Sequence, residues 1–301
     1  MRIRRSLIDL DDLNADELTY IFERTAHFEQ SKAEQTLTGH ACANMFFEQS
    51  TRTFASFNLA ELRLGGDVVN LSPKDLSLAT KGETLEDTAI TLGAMGFSVL
   101  VVRHSEAGFP QRVAMSFDGH VVNAGDGAHA HPTQALLDIY TLREEFGELE
   151  GRTVAIVGDV LHSRVAHSTI RGLRRLKAKV MLVGPDAFLP ATYGRDGISI
   201  ERDFDAILPE VDAVMLLRIQ RERFDSMPIT DEEYVAAYRL DRKRLEKVRE
   251  NAVIMHPGPY NRGMELDESV LEFAGWRYAK QVLHGVGVRM AVLDFLVNGT
   301  S

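Results

Sequence analysis

The sequence predicts an α/β fold of two domains, each a mostly parallel sheet with helices on both faces. The first observation is alternation. The short apolar runs Cys42–Phe47, Val68–Leu71, Phe97–Val102, Val154–Val157, Val180–Val183, Ala213–Leu217 and Ala252–Met255 are separated by segments of helical periodicity. Strands that alternate with helices pair in parallel, because each crossover helix returns the chain to the same end of the sheet. The second is size. At 301 residues, 45% hydrophobic and 26% charged, the chain is long enough for two domains of ordinary size or one large one, and apolar enough to fill them.

Taken in order, an amphipathic helix capped near Asn14 opens the chain, with Leu18, Ile21, Phe22 and Thr25 on one stripe. Further helical patterns appear at Ala55/Leu59/Leu62 and Leu85/Ala89/Leu92, each at i, i+4, i+7. A helix over Pro132–Phe146 is followed by Gly147 and Gly151, and the strand at Val154 then begins a second α/β series. The main domain boundary is expected along that helix. A last helix near Val286–Leu296 can pack against either half on sequence grounds.

Composition excludes some classes. A net charge of −10 argues against broad binding to nucleic acid or to acidic membranes, while a local cluster of arginines can still hold a small anion. No apolar run approaches the roughly 20 residues of a membrane helix. The basic start Met1–Arg5 has the look of a secretory leader, but Asp9, Asp11 and Asp12 interrupt any apolar stretch after it. The one cysteine, Cys42, permits no intrachain disulfide and sits in an apolar run. These features point to a cytoplasmic protein.

Function is suggested by the polar residues at the ends of the apolar runs. Phe46-Phe47 leads into Glu48-Gln49-Ser50-Thr51-Arg52-Thr53, Val101-Val102 into Arg103-His104, and Val121-Val122 into Asn123–Gly127 and then His131-Pro132-Thr133-Gln134. Val157 leads into Gly158-Asp159 and His162-Ser163-Arg164, Leu217 into Arg218-Ile219-Gln220, and Met255 into His256-Pro257-Gly258-Pro259. In open parallel sheets ligands bind beyond the carboxyl ends of strands, so six such ends can converge on an anion-rich site. Ser50–Thr53 joins hydroxyls, helix N-terminal amides and a guanidinium, a set that suits phosphate, although any Ser/Thr cap with a solvated arginine reads alike. His131 can donate to a carbonyl oxygen that gains charge. His129 and His131 lack a third ligand at metal spacing, so no metal site is expected there. Gly158–Arg164 resembles the start of a dinucleotide turn but lacks its glycine pattern. Arg164 and Arg218 can clamp a dicarboxylate, or simply form surface ion pairs. Ser77 and Lys81 lie in Pro73–Gly82, which reads as a polar loop.

In this order the motifs resemble catalytic chains of the aspartate carbamoyltransferase family, over about Ile8 to Leu296. Phe47–Thr53, Lys81–Thr84, Asn123–Asp126, His131–Gln134, Arg218–Arg223 and His256–Gly263 carry the resemblance. The Arg-Ile-Gln segment selects the aspartate branch, and the ornithine branch would show His-Cys-Leu-Pro where His256-Pro257-Gly258-Pro259 stands. The resemblance implies a carbamoyl-phosphate domain (1–131, with the last helix, 285–301, returning to it) and an aspartate domain (132–284). It also implies a homotrimer with shared active sites, no metal and no cofactor, and it leaves regulatory or dihydroorotase partner subunits open. By similarity Ser50, Thr51, Arg52 and Thr53 cradle phosphate, Arg103 spans phosphate and carbonyl, and Thr53 and His131 polarise the carbonyl. Gln134 and the Pro257-Gly258 backbone hold the carbamoyl nitrogen, with Pro259 fixing the loop. Arg164, Arg218 and Gln220 bind aspartate together with Lys81, a catalytic residue that, like Ser77, reaches in from a neighbouring chain. Two positions depart from the family: Phe54 stands where arginine is usual, and Gly287 where alanine is. Three rival readings are a transcarbamoylase with another amine acceptor, a non-catalytic scaffold, and a nucleotide-dependent oxidoreductase. The scaffold would have lost several of Arg52, Lys81, His131 and Arg218, all of which are present.

Overall fold

In a computed structural model, which describes residues 5–31, 33–72, 82–190, 192–196, 198–224 and 226–299, the chain divides into two units. Residues 1–137 with 282–301 make unit 1, and 138–281 make unit 2.

Unit 1 contains α1 (Ala15–Ser31), β1 (Ala41–Phe46), α2 (Thr51–Arg63), β2 (Asp67–Leu71), α3 (Leu85–Ala94), β3 (Phe97–His104), α4 (Phe109–Ser116), β4 (His120–Asp126) and the start of α5 (Pro132–Phe146). Its four strands pair in parallel in the order β2-β1-β3-β4. Asn14 caps α1 reciprocally: its side chain accepts from Glu17 N at 3.0 Å, and the Glu17 carboxylate accepts from Asn14 N at 2.8 Å. The predicted stripe Leu18, Ile21, Phe22 and Thr25 is buried. Leu85, Ala89 and Leu92 of α3 pack with Met45, Leu100, Val102 and Val121 in a sheet–helix core.

Helix α2 forms where Ala55, Leu59 and Leu62 recur at helical spacing. Its buried residues are Thr53, Phe57, Ala60 and Glu61, whereas Ala55, Leu59 and Leu62 face outward, Leu62 being 61% exposed. Phe57 is fully buried, and burying such a ring contributes about 1.5–3 kcal/mol, so it rather than the leucine stripe fixes the inner face. Phe54 rests edge-on against Phe46, ring centres 5.3 Å apart, so it belongs to an aromatic contact at the start of the helix.

Unit 2 contains the rest of α5, β5 (Thr153–Val157), α6 (Arg164–Arg175), β6 (Lys179–Val183), β7 (Ser199–Glu201), α7 (Phe204–Ile207), β8 (Ala213–Leu216), α8 (Asp231–Tyr238), α9 (Arg242–Leu245), β9 (Val253–Met255), α10 (Glu268–Leu271) and the start of α11 (Tyr278–Asn298). Its sheet runs β7-β6-β5-β8-β9, again all parallel. Val157, Val183, Phe188, Phe204, Val214 and Tyr234 lie at its core. Strand β7 was not among the expected runs: Ser-Ile-Glu is too short and too polar to stand out. Helix α11 begins eight residues before Val286, because Tyr278, Ala279, Lys280 and Gln281 continue it without a breaker. Within unit 1, a Cβ on Gly287 would come within 3.2 Å of Glu29 Cγ and 3.3 Å of Thr25 Cγ2, which gives the departure from alanine a packing reason.

Candidate active site

In unit 1 the carboxyl ends of β1, β3 and β4 lie side by side, with Phe46 in register with Arg103 and His104 with Asp126. The chain leaving β1 turns at Ser50, an extended N-cap with φ −163° and no side-chain cap bond, into α2 at Thr51. Ser50 Oγ is therefore not used on the helix's own amides, whose free N–H groups favour an anion. Thr53 is buried in the first turn. Arg103, at the end of β3, donates from Nη1 to Ala124 O at 3.0 Å and lies 3.3 Å from Glu48 through Nη2. Its guanidinium is thus held at the strand end beside the β1–α2 turn.

His131 is 4% exposed and stands immediately before α5, with Gln134 in the first turn. Asp126 shapes the loop that presents it. One carboxylate oxygen accepts from Ala130 N at 2.9 Å and Asn123 Nδ2 at 3.0 Å, and the other accepts from Gly108 N at 2.9 Å and lies 3.1 Å from His129 Nδ1. Asn123 in turn accepts from Gly125 N at 2.7 Å. Sequence reasoning gave Asp126 no role. Its signal was an acid between two glycines at the end of an apolar strand, just before a histidine pair. His104, the other polar residue at this end, stacks on Phe109 at 3.7 Å and accepts from Glu106 N, and burial lowers its pKa. It is a packing residue.

In unit 2 the carboxyl ends of β5, β8 and β9 lie adjacent. Gly158 turns the chain at φ +117°, and a Cβ there would meet Leu217 O at 2.9 Å. The buried Asp159 that follows ties two loops together. One oxygen accepts from His162 N at 3.2 Å and lies 2.9 Å from His162 Nδ1; the other accepts from Gln220 N at 3.2 Å. Gln220 Nε2 donates to His162 O at 2.7 Å. Ser163 caps α6 through Ala166 N, so Arg164 is its first residue. Arg218, just past β8, is gripped by Glu222, Nη2 to Oε1 at 2.5 Å and Nη1 to Oε2 at 3.1 Å. Each partner favours the other's charge: Glu222's hydrogen bonds raise the arginine's pKa, and Arg218's lower the carboxylate's. Past β9, His256 Nδ1 accepts from Gly258 N at 2.8 Å, and His256 N donates to Gln281 Oε1, folding Pro257, Gly258 and Pro259 over the strand end.

The sequence-predicted residues thus fall into two sets. Ser50, Thr51, Arg52, Thr53, Arg103, His131 and Gln134 stand at the strand ends of unit 1. Arg164, Arg218, Gln220, Pro257, Gly258 and Pro259 stand at those of unit 2. Ser77 and Lys81 lie outside the described residues. Among the described residues no three His, Cys, Asp or Glu side chains are grouped to hold a metal ion, and no helix is long and apolar enough to cross a membrane. The chemistry on offer is hydrogen bonding and positive charge: a phosphate-type cradle in one unit, a carboxylate-type clamp in the other.

Residues 5–144 match the family model of the aspartate/ornithine carbamoyltransferase carbamoyl-P binding domain, and 150–296 that of the Asp/Orn binding domain. The catalytic subunit of aspartate carbamoyltransferase from Salinispora arenicola is 47% identical over 99% of both chains. That from Acidothermus cellulolyticus is 46% identical over 98% of this chain and 93% of its own. Among solved structures, aspartate transcarbamoylase from Trypanosoma cruzi in complex with N-(phosphonacetyl)-L-aspartic acid superposes with a TM-score of 0.87 at 33% identity, covering 96% of this chain and 95% of that one. The M. jannaschii catalytic subunit gives 0.86 at 32%, covering 97% and 98%.

Proposed function

The chain belongs to the aspartate/ornithine carbamoyltransferase family, and we propose that it transfers the carbamoyl group of carbamoyl phosphate to the amino group of L-aspartate. The products are N-carbamoyl-L-aspartate and inorganic phosphate, a step of de novo pyrimidine synthesis in the cytoplasm. The observation that carries the choice of acceptor is Arg218-Ile219-Gln220 at the end of β8, its arginine fixed by Glu222 and its Gln220 amide by Asp159.

In this reading residues 1–131 with 285–301 bind carbamoyl phosphate and 132–284 bind aspartate. Ser50, Thr51, Arg52 and Thr53 hold the phosphate, and Arg103 bridges phosphate and carbonyl. The neutral α-amine attacks the carbamoyl carbon, a C–N bond forms, and charge gathers on the carbonyl oxygen, where Thr53, Arg103 and His131 stabilise it. The C–O bond to phosphate then breaks, phosphate leaves with the electron pair, and it accepts the amine's proton. Gln134 and the Pro257-Gly258 backbone, with Pro259 setting the loop, orient the carbamoyl nitrogen. Arg164, Arg218 and Gln220 hold the aspartate carboxylates. Rate comes from positioning and electrostatics, with no covalent enzyme intermediate. The working molecule in this reading is a homotrimer whose Ser77 and Lys81 complete a neighbour's site. The exposed Leu59 and Leu62 of α2 support a chain–chain contact on that face.

The test is kinetics of the purified chain with aspartate, ornithine and other amines, beside Arg218→Ala. We expect carbamoyl-aspartate formation, and in the variant a strongly raised aspartate requirement with carbamoyl-phosphate affinity nearly unchanged. Turnover with ornithine instead, or equal loss of both affinities, would remove the assignment.

A further inference from the structure

Basic residues gather at one place that the proposed reaction does not use. From Arg171 to Pro185 the sequence holds five basic residues and no Asp or Glu, in a chain of net charge −10. Four of them, Arg174, Arg175, Lys177 and Lys179, are exposed where α6 ends and β6 begins. Arg174, Lys177 and Lys179 line a cleft of about 350 Å³, with Val180 and Ile198 as apolar lining and Ser199 beside them. Lys179 and Ser199 are the first residues of β6 and β7, so the cleft lies at the amino edge of the unit 2 sheet. Arg164, Arg218 and Gln220 follow the carboxyl edge.

Lys177 supplies a second, independent observation. Its φ of +57° makes it the one non-glycine residue in the left-handed region among those described. It occupies the position after α6 where Ala178 N donates back to Leu173 O at 3.0 Å and Lys177 N to Arg174 O at 2.9 Å. Glycine is the usual residue in such a turn, because a Cβ is disfavoured there. A lysine kept at a strained position calls for a compensating use. Complementing the α6 dipole accounts for Arg174 and Arg175 in the last turn, but not for Lys177 and Lys179 beyond it. The Lys177–Glu150 pair, 3.3 Å apart with both side chains about 70% exposed, is too well solvated to account for it either.

We propose that this cleft is a second anion site, which takes a polyphosphate group. Its volume is at the small end of ligand pockets, too small for a macromolecular segment and sufficient for two or three linked phosphoryl units. Several cations around one cleft match the dense charge of such a group, and each phosphoryl oxygen can accept from ammonium and guanidinium donors. A free polyphosphate and a phosphate-bearing metabolite share this chemistry. The proposal is independent of the reading of the carboxyl-edge residues.

The experiment is isothermal titration of the full chain with tripolyphosphate, inorganic phosphate and adenosine triphosphate. It is run on the wild type and on Arg52→Ala, which silences the proposed phosphate cradle of unit 1. We expect tripolyphosphate to bind Arg52→Ala with affinity that falls as salt is raised, and inorganic phosphate to bind at least about tenfold more weakly. Adding Lys177→Gly or Lys179→Ala to Arg52→Ala should weaken tripolyphosphate by about tenfold each, one lost charge contact being worth about that factor. Lys177→Gly should at the same time raise the thermal midpoint, since it relieves the turn, so its lost binding cannot come from unfolding. Equal affinity for adenosine triphosphate and tripolyphosphate would assign the site to the phosphates alone, and tighter binding of the nucleotide to a phosphate-bearing metabolite. Loss of all tripolyphosphate binding in Arg52→Ala, binding indifferent to Lys177→Gly and Lys179→Ala, or inorganic phosphate binding as tightly as tripolyphosphate would overturn the proposal.

Discussion

Replacing Glu61 by glutamine should stabilise the protein, and increasingly so as the pH rises. Glu61 lies in α2 with no exposed surface, and Asn44 Nδ2 donates to its Oε2 at 2.7 Å. Burial pushes its carboxyl up from 4.5 to about 8, and the Asn44 bond only partly opposes this. The folded-state value is raised, so below 4.5 the group is protonated in both states and costs nothing extra. Between about 4.5 and about 8 the unfolded chain releases the proton and the folded chain keeps it, and stability falls as pH rises; above that it levels off. At about 1.4 kcal/mol per pH unit the full loss is on the order of 5 kcal/mol, of which about 3 kcal/mol is already present at neutral pH. Glutamine removes the titration and keeps an oxygen for Asn44. The assay is the urea midpoint of both proteins from pH about 5 to about 9. The wild-type midpoint should fall across this range relative to that of Glu61→Gln, and the gap should widen. A gap that stays constant, or one that closes as pH rises, would refute the reasoning.

If His131 donates to the developing oxyanion, His131→Ala should lower kcat by roughly ten- to a thousandfold in steady-state assays; unchanged turnover would take it out of the mechanism. If Lys81 serves a neighbouring chain, Lys81→Ala and Arg52→Ala should each be nearly inactive, yet regain a minority of wild-type turnover when refolded together. At most one native site is expected per mixed trimer, and no recovery in trimers confirmed by sedimentation would confine Lys81 to its own chain.

Much of the fold was legible because parallel α/β proteins write their strands as apolar runs and place polar residues just after them. Val154–Val157 with Gly158-Asp159, and Met255 with His256, need no tertiary information to be read. The buried face of a helix was less legible than the helix itself. Ala55, Leu59 and Leu62 recur at helical spacing, but so do Phe57, Ala60 and Glu61 on another side of α2, and only the packed structure shows that the set containing an acid is the buried one. Buried carboxylates were the other blind spot. Asp126 and Asp159 act by accepting backbone amides, which no side-chain motif announces, and Glu222 became a partner of Arg218 only once Arg221–Arg223 folded into a short 3-10 turn. Ligand-facing types such as arginine and histidine are conspicuous in sequence. The residues that aim them are not.

The Asp126 carboxylate also acts as a ruler. Its two oxygens are shared among a strand-side amide group, a helix N-cap amide and two points on the following turn, while Asp126 N and Ala130 O close the same turn through the backbone at 3.1 Å. Both measure the same interval, the five residues from Asp126 to Ala130, and His131 is the next residue along. One extra residue in that interval would break two independent closures and rotate the histidine away from the strand ends. The interval is therefore closed to insertion and deletion, although it is a loop. Length variation among related chains should collect instead in connections that nothing measures twice.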